Sequence, residues 1–372
     1  MESKKHKRVV VKIGSNVLTR TNGELDVERM ASLVEQIAKL HRSGMEVIIV
    51  SSGAVASGRS ELKGKQLGKK LDPVSARQLY SSVGQAKLIN RYYELFKEHS
   101  IVCGQILTMK ENFSTRGHYL NQKNCMTVML DNGVIPIVNE NDAVAVTELM
   151  FTDNDELSGL ISAMMDAEEL VILSNVDGIY NGDPKEKNVE VIREIKPQAK
   201  DDVSKYIKTA KSDFGRGGML TKYRIAHSAA GEGIAVTVAN GKKDNILVDV
   251  LGKKSGVVST RFVPAGRKPS GVKTWIAHSG DFAKGELHVN NGAYEALTGG
   301  KARSLLPVGV ERIGGTFEKD DIVRIISPAG KQIGVGKAAY GSMRAKELLG
   351  NKGAKPIVHY DYLHLENNNK DK

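Results

Sequence analysis

Short apolar runs alternate with stretches of helical periodicity through most of the chain. Arg8 to Ile13 reads as a buried strand that stops at Gly14-Ser15. Asp26 is placed to cap a helix with Val27, Met30, Val34, Ile37 and Leu40 on one face, closed by Gly44. Val47 to Val50 is a continuous apolar strand followed by Ser51-Ser52-Gly53. The pattern then predicts helices over Val83 to His99, Tyr119 to Leu130, Asn154 to Met165 and Gly218 to Ala230. Strands are predicted over Val102 to Leu107, Val134 to Val138, Leu170 to Leu173 and Ala235 to Val238. Apolar strands alternating with helices imply an α/β fold, a parallel-sheet αβα sandwich with both sheet faces covered. Ligands of such folds gather in loops beyond the strands' carboxyl ends.

The pattern changes near residue 262. Pro264, Gly266, Pro269 and Gly271 mark residues 263–275 as a linker between a first domain, 1–262, and a small β-rich domain, 276–366. Glu286 to Val289, Asp321 to Ile326 and Gln332 to Val335 read as its strands, Gly292 to Leu297 and Ser342 to Leu349 as short helices. Asn367 to Lys372 is a polar tail, expected to fray.

Charge changes the picture only locally. Of the formal net charge of +11, residues 251–275 carry +6, with six basic residues and no acid, whereas residues 276–372 carry +3. A smaller basic cluster lies at Lys4, Lys5, Lys7 and Arg8. A solvated linker accounts for the excess as well as a phosphate-binding surface does. Cys103 and Cys125 form no CxxC pair, as suits a reducing compartment. Only Val9-Val10-Val11 separates the basic start from Lys12, and Val47 to Gly58 is an uncharged run of 12 residues. Both are too short for a signal peptide or a span, so a cytoplasmic chain without membrane contact is expected.

Four loops carry candidate chemistry. Lys12 at the end of the first strand, beside Gly14-Ser15, would offer an ammonium and backbone N–H groups to a phosphate; alone it is equally an edge lysine. Ser51-Ser52-Gly53-Ala54 would admit an anion to a helix start, or merely cap it. Asn139-Glu140-Asn141-Asp142 and Phe151-Thr152-Asp153-Asn154-Asp155 crowd carboxylates and amides that are costly to bury unless something satisfies them. Gly215-Arg216-Gly217-Gly218-Met219-Leu220-Thr221-Lys222 opens a helix with glycines and a lysine one turn in, which suits polyphosphate. Between the last two lies Ser174-Asn175-Val176-Asp177-Gly178, a wall for a base and ribose. No GxxxxGK[ST] loop occurs. Two lysines far apart in the chain, with carboxylates between them, form a phosphoryl-transfer arrangement.

At this point the chain resembles the amino acid kinase family. The matching stretches are Val9 to Thr19, Ile48 to Gly58, Val134 to Val144, Thr152 to Ser162, Leu173 to Tyr180 and Gly215 to Lys222. The later residues GELHVNNGAYEAL, SLLPVGV and VRIIS resemble a PUA domain. The resemblance implies ATP-dependent phosphorylation of the side-chain carboxylate of L-glutamate, the step that opens proline synthesis. It places ATP, with its Mg²⁺, on Lys12, Ser174, Asn175 and the loop of Arg216, Gly217, Gly218, Met219, Leu220, Thr221 and Lys222. Glutamate is placed on Ser52, Asp142 and Asn154, with Asp155 between the two lysines. It further implies a homo-oligomer, proline as feedback inhibitor and a glutamyl phosphate reductase as partner. Two positions depart from the family's habit: Arg216 where Thr-Gly-Gly-Met is usual, and Ser174-Asn175 where Thr-Asp or Ser-Asp is usual.

The acid to be phosphorylated has an ordinary pKa of ~4.3, so it is already a nucleophile at neutral pH. No general base is required, and neither His118 nor His227 is recruited as one. Other amino acid kinase substrates, among them N-acetylglutamate, aspartate, carbamate and UMP, form one alternative. RNA contact or RNA modification through the PUA-like domain forms another, against which stand the modest charge of residues 276–372 and the single Trp275.

Overall fold

The computed structural model describes residues 7–65, 71–144, 151, 153–183, 186, 188–197, 218–266, 271–299 and 302–365. Two compact units result, Met1–Lys110 with Leu120–Lys268, and Glu111–Tyr119 with Pro269–Lys372.

In the first unit, strands β1 (Arg8–Ile13), β2 (Glu46–Ser51), β3 (Cys103–Thr108), β4 (Ile135–Glu140), β5 (Glu169–Ser174), β6 (Glu194–Ile195), β7 (Ala235–Asn240) and β8 (Ser259–Phe262) share one sheet. Its order is β3-β4-β2-β1-β5-β7-β8-β6. The pairs from β3 through β7 are parallel, as the apolar runs predicted. The short strand β8 was not expected; it runs antiparallel to β7 and only every second residue is buried, too weak a pattern to read. Parallel pairing brings Ile13, Ser51, Glu140, Ser174 and Asn240 to one edge of the sheet.

Val9, Val11, Ile13, Val47 and Ile49 pack under the helix Val27–Arg42 through Met30, Leu33, Val34 and Ile37. Leu88, Tyr92, Leu95 and Phe96, from the helix Pro73–Glu98, complete that side. Strand alternation sends Lys12 to the opposite face, toward the helix Asn154–Met164. The helix expected from Val83 starts at Pro73. Asp72 accepts hydrogen bonds from the Val74 and Ser75 amides at 2.9 and 3.0 Å, and proline is preorganised for a first turn.

The helix start read at Ala54 opens the short helix Ala54–Glu61, whose extent the sequence pattern did not give, and a second short helix, Ile246–Leu251, was not expected. The first lies backbone to backbone against Pro73–Glu98. A Cβ added at Gly84 would stand 1.8 Å from the Ala54 carbonyl oxygen, and one at Gly58 would stand 1.8 Å from that of Tyr80. This close approach seats the Ser51-Ser52-Gly53 turn, where Gly53 adopts a φ of +105°.

The second unit has its own five-stranded sheet, order β10-β9-β11-β12-β13, from β9 (Gly285–Val289), β10 (Val310–Gly315), β11 (Ile322–Ile326), β12 (Gln332–Lys337) and β13 (Leu363–Leu365). Leu287, Val323, Ile325, Phe317 and Val358 form its core. Part of the expected linker is folded: Gly271–Ala277 is a helix that buries Trp275, whose indole N–H donates to the Phe113 carbonyl at 3.0 Å. The short period and flanking glycines hid it. Residues 267–270 of the linker, Lys4 and Lys5, and the tail Asn367 to Lys372 lie outside the described residues.

Because the atoms facing Gly84 are backbone, Gly84→Ala should cost about 3 kcal/mol, the upper part of the overpacking range. At roughly 2–4 °C per kcal/mol in a unit of this size, scanning calorimetry should show a loss of several degrees. Gly117→Ala, which meets open space, should leave the midpoint unchanged or slightly raised.

Candidate active site

Lys12 reaches the sheet edge from β1, and Lys222 reaches it from the helix Met219–Gly231. Between them sits Asp155, in the first turn of the helix Asn154–Met164. Lys12 Nζ is 2.6 Å from Asp155 Oδ1, and Lys222 Nζ is 2.9 Å from Oδ2. Asp155 has no exposed surface, and the lysines are only 5 % and 8 % exposed. Burial by itself pushes the Asp155 carboxyl upward, but the two ammonium groups outweigh it and hold the pKa below the ordinary value. Two ammonium groups thus share one carboxylate, and the Asp153 carboxyl beside it feels the same two lysines. Asp153 caps the same helix, accepting from the Asp155 and Glu156 amides at 2.8 and 3.1 Å, which fixes where Asp155 stands.

Asn154, the neighbour of Asp155, turns to the other side of the site. Its amide donates to Ser52 Oγ at 2.9 Å, to the Ser51 carbonyl at 3.0 Å and to Asn139 Oδ1 at 3.0 Å. Asn139 in turn donates to Gln85 at 2.7 Å. Asp142, also buried, accepts from Arg77 Nε at 2.8 Å, while Arg77 Nη2 donates to Glu140 Oε2 at 3.0 Å. Glu140 Oε1 accepts the Phe151 amide at 2.8 Å. Burial first, then the charge of Asp142, pushes the Glu140 carboxyl up to about 7.

On the third side, Ser174 ends β5 and Asn175 is exposed just beyond it. Asp177 accepts from Asn240 at 2.9 Å and pairs with Lys243 at 2.8 Å, tying this loop to the turn after β7. Gly218 precedes the first turn formed by Met219, Leu220 and Thr221. Arg216 and Gly217, like Thr152, lie outside the described residues.

The structure thus brings together Lys12, Lys222 and Asp155, and, through Asn154, the Ser52 turn. Arg77 and Gln85 escaped the sequence reading, and Glu140 was read only as part of a polar cluster. The Asp72-Pro73 cap was the available signal: a helix started there puts Arg77 one turn from its beginning.

Residues 7–240 match the Amino acid kinase family and residues 285–360 the PUA domain. The chain belongs to the amino acid kinase family. It is 63 % identical over 359 residues to a protein of Bacteroides thetaiotaomicron named glutamate 5-kinase, covering 96 % of this chain and 98 % of that one. A protein of the same name from Chlorobaculum tepidum is 48 % identical over 361 residues, covering 97 % and 98 %. Among solved structures, carbamate kinase from Giardia lamblia bound to AMP-PNP shares the fold, with a TM-score of 0.51 at 18 % identity over 70 % of this chain and 99 % of that one. Among the described residues no helix is long and apolar enough to cross a membrane.

Asp155→Asn would remove the carboxylate that the two buried ammonium groups share and should cost about 3–5 kcal/mol in urea unfolding. Lys222→Ala keeps the Lys12 pair and should cost clearly less. Because the Asp155 pKa is lowered on folding, its contribution is complete above the unfolded value of ~3.9. It should vanish as pH falls through the lower folded value, so the gap between wild type and Asp155→Asn should close in strong acid.

Proposed function

We propose that this chain is a glutamate 5-kinase: it transfers the γ-phosphoryl group of ATP to the side-chain carboxylate of L-glutamate. The observation that carries the reading is the pair of lysines joined on one buried aspartate, whose neighbour Asn154 donates to the Ser52 hydroxyl. The full-length similarity to proteins of that name supports it.

In this reading Lys12 and the Gly217 to Lys222 loop hold the ATP phosphates, and Ser174 and Asn175 flank the nucleotide. Arg216 belongs to the same loop. ATP enters as its magnesium salt. Ser52, Asn154 and Asp142 hold glutamate, with Asp142 toward the α-ammonium, so that the far carboxylate faces the phosphate. A carboxylate oxygen forms a bond to the γ-phosphorus as the bond to the β,γ-bridging oxygen breaks. The products are γ-glutamyl phosphate and ADP, and no proton needs to move. The obstacle is repulsion between anions: two unit charges ~4 Å apart interact by about 1 kcal/mol in water but ~4 at an effective dielectric near 20. Lys12 and Lys222 offset this, and Asp155 keeps them apart and in register. Residues 1–262 form the catalytic part of this reading and 276–366 an appended module. Its wider setting is proline synthesis in the cytoplasm, with proline as inhibitor, a homo-oligomer, and a reductase to consume the unstable acyl phosphate.

Purified protein given ATP, Mg²⁺ and glutamate should form γ-glutamyl hydroxamate when hydroxylamine traps the product, and should do so far better than with aspartate or N-acetylglutamate. Lys12→Ala and Lys222→Ala should each lower kcat at least ~100-fold, the scale of one electrostatic donor. Activity within tenfold of wild type in both variants would sink the mechanism. Asp142→Ala should mainly raise the KM for glutamate; a collapsed kcat at unchanged KM would move Asp142 into the chemistry.

A further inference from the structure

Beside Asp142 stands a second carboxylate with no part in the reading so far. Glu140 ends β4 and is 4 % exposed, and Asp142 is 6 % exposed. One guanidinium serves both: Arg77 Nε donates to Asp142 Oδ1 at 2.8 Å, and Nη2 donates to Glu140 Oε2 at 3.0 Å and to Asp142 Oδ1. The remaining Glu140 oxygen takes the Phe151 amide. Both Arg77 contacts with Asp142 fall on Oδ1, so the clamp leaves Oδ2 out. Two carboxylates against one guanidinium carry a net charge of −1 in a nearly water-free place. Such an imbalance is costly unless a further cation arrives.

We propose that Glu140 is a second carboxylate of the substrate-ammonium site, and that Arg77 is the positioning residue that holds it beside Asp142. This rests on the assignment of Asp142 to the α-ammonium of glutamate. Arg77 comes from the helix Pro73–Glu98, so the first turns of that helix set the separation of the two acids. The ligand's ammonium supplies the missing positive charge.

In its absence a proton supplies it. The groups facing Glu140 are Asp142, which raises its pKa together with burial, and Arg77 and the Phe151 amide, which lower it; the balance is about 7. Protonated Glu140 lacks the charge that attracts an ammonium, so protons and glutamate compete. Over this range the substrate itself does not titrate: its side-chain acid ionises near ~4.3, and the α-ammonium of a free amino acid, stabilised by the ionised carboxylate on the same carbon, holds its proton beyond pH 8.

The test is calorimetric binding of glutamate alone to the full chain between pH 6 and pH 8, in two buffers of different ionisation enthalpy. ATP is left out because its terminal phosphate titrates in the same range. Wild type should bind about tenfold more weakly at pH 6 than at pH 8, and should release close to one proton per glutamate at pH 6 and almost none at pH 8. Glu140→Gln should bind about tenfold more weakly than wild type at pH 8, with no pH dependence and no proton release. Arg77→Met should raise the KM for glutamate at least tenfold with kcat within threefold, and Arg77→Lys should recover most of the loss. A wild-type affinity flat in pH, without proton release, overturns the proposal even if no variant folds. So does proton release that survives in Glu140→Gln. Failure of wild type to phosphorylate glutamate at all would instead remove the assignment of Asp142 on which the proposal rests.

Discussion

A carboxylate that never touches water, held by two ammonium groups, is the constraint around which the first unit is arranged. Lys12 and Lys222 together hold Asp155 as an anion against the cost of its burial. Those lysines come from the first strand and from a helix some 210 residues later in the chain. Pairing them on one acid therefore locks β1, the helix Asn154–Met164 and the helix Met219–Gly231 at a common sheet edge. The feature that ties the elements together also concentrates two cationic groups at that edge.

Close by, the balance has the opposite sign. Asp142 and Glu140 share Arg77 and carry a net negative charge. Consecutive residues link the first centre to the strand that carries the second, since Asp155 belongs to the first and Asn154 donates to Asn139, the neighbour of Glu140. The preceding Asp153 cap fixes the helix start, and hence where Asn154 and Asp155 stand.

How much of this was legible follows from the range over which each signal acts. The central strands were readable because a parallel strand buried on both faces must be apolar throughout, as in Val9-Val10-Val11 and Val47-Ile48-Ile49-Val50. The helix Val27–Arg42 announced itself through Asp26 and its apolar stripe. Ser259–Phe262 and Ala54–Glu61 are too short to show a period, and the second is held in place by the Gly58 and Gly84 backbone contact rather than by any pattern of its own. The start of Pro73–Glu98 lay open in Asp72-Pro73, yet the apolar period becomes clear only from Val83 onward.

By itself the sequence determined the alternation of strand and helix, the polar loops at strand ends, and, by resemblance, the family and which residues in those loops to watch. These are local properties, written in composition and spacing. That Lys12 and Lys222 share the same aspartate, and that Arg77 stands between Glu140 and Asp142, was decided only by tertiary structure. Each contact joins residues scores of positions apart, and it is the order of strands in the sheet, together with the need of every buried charge for a partner, that brings them within 3 Å.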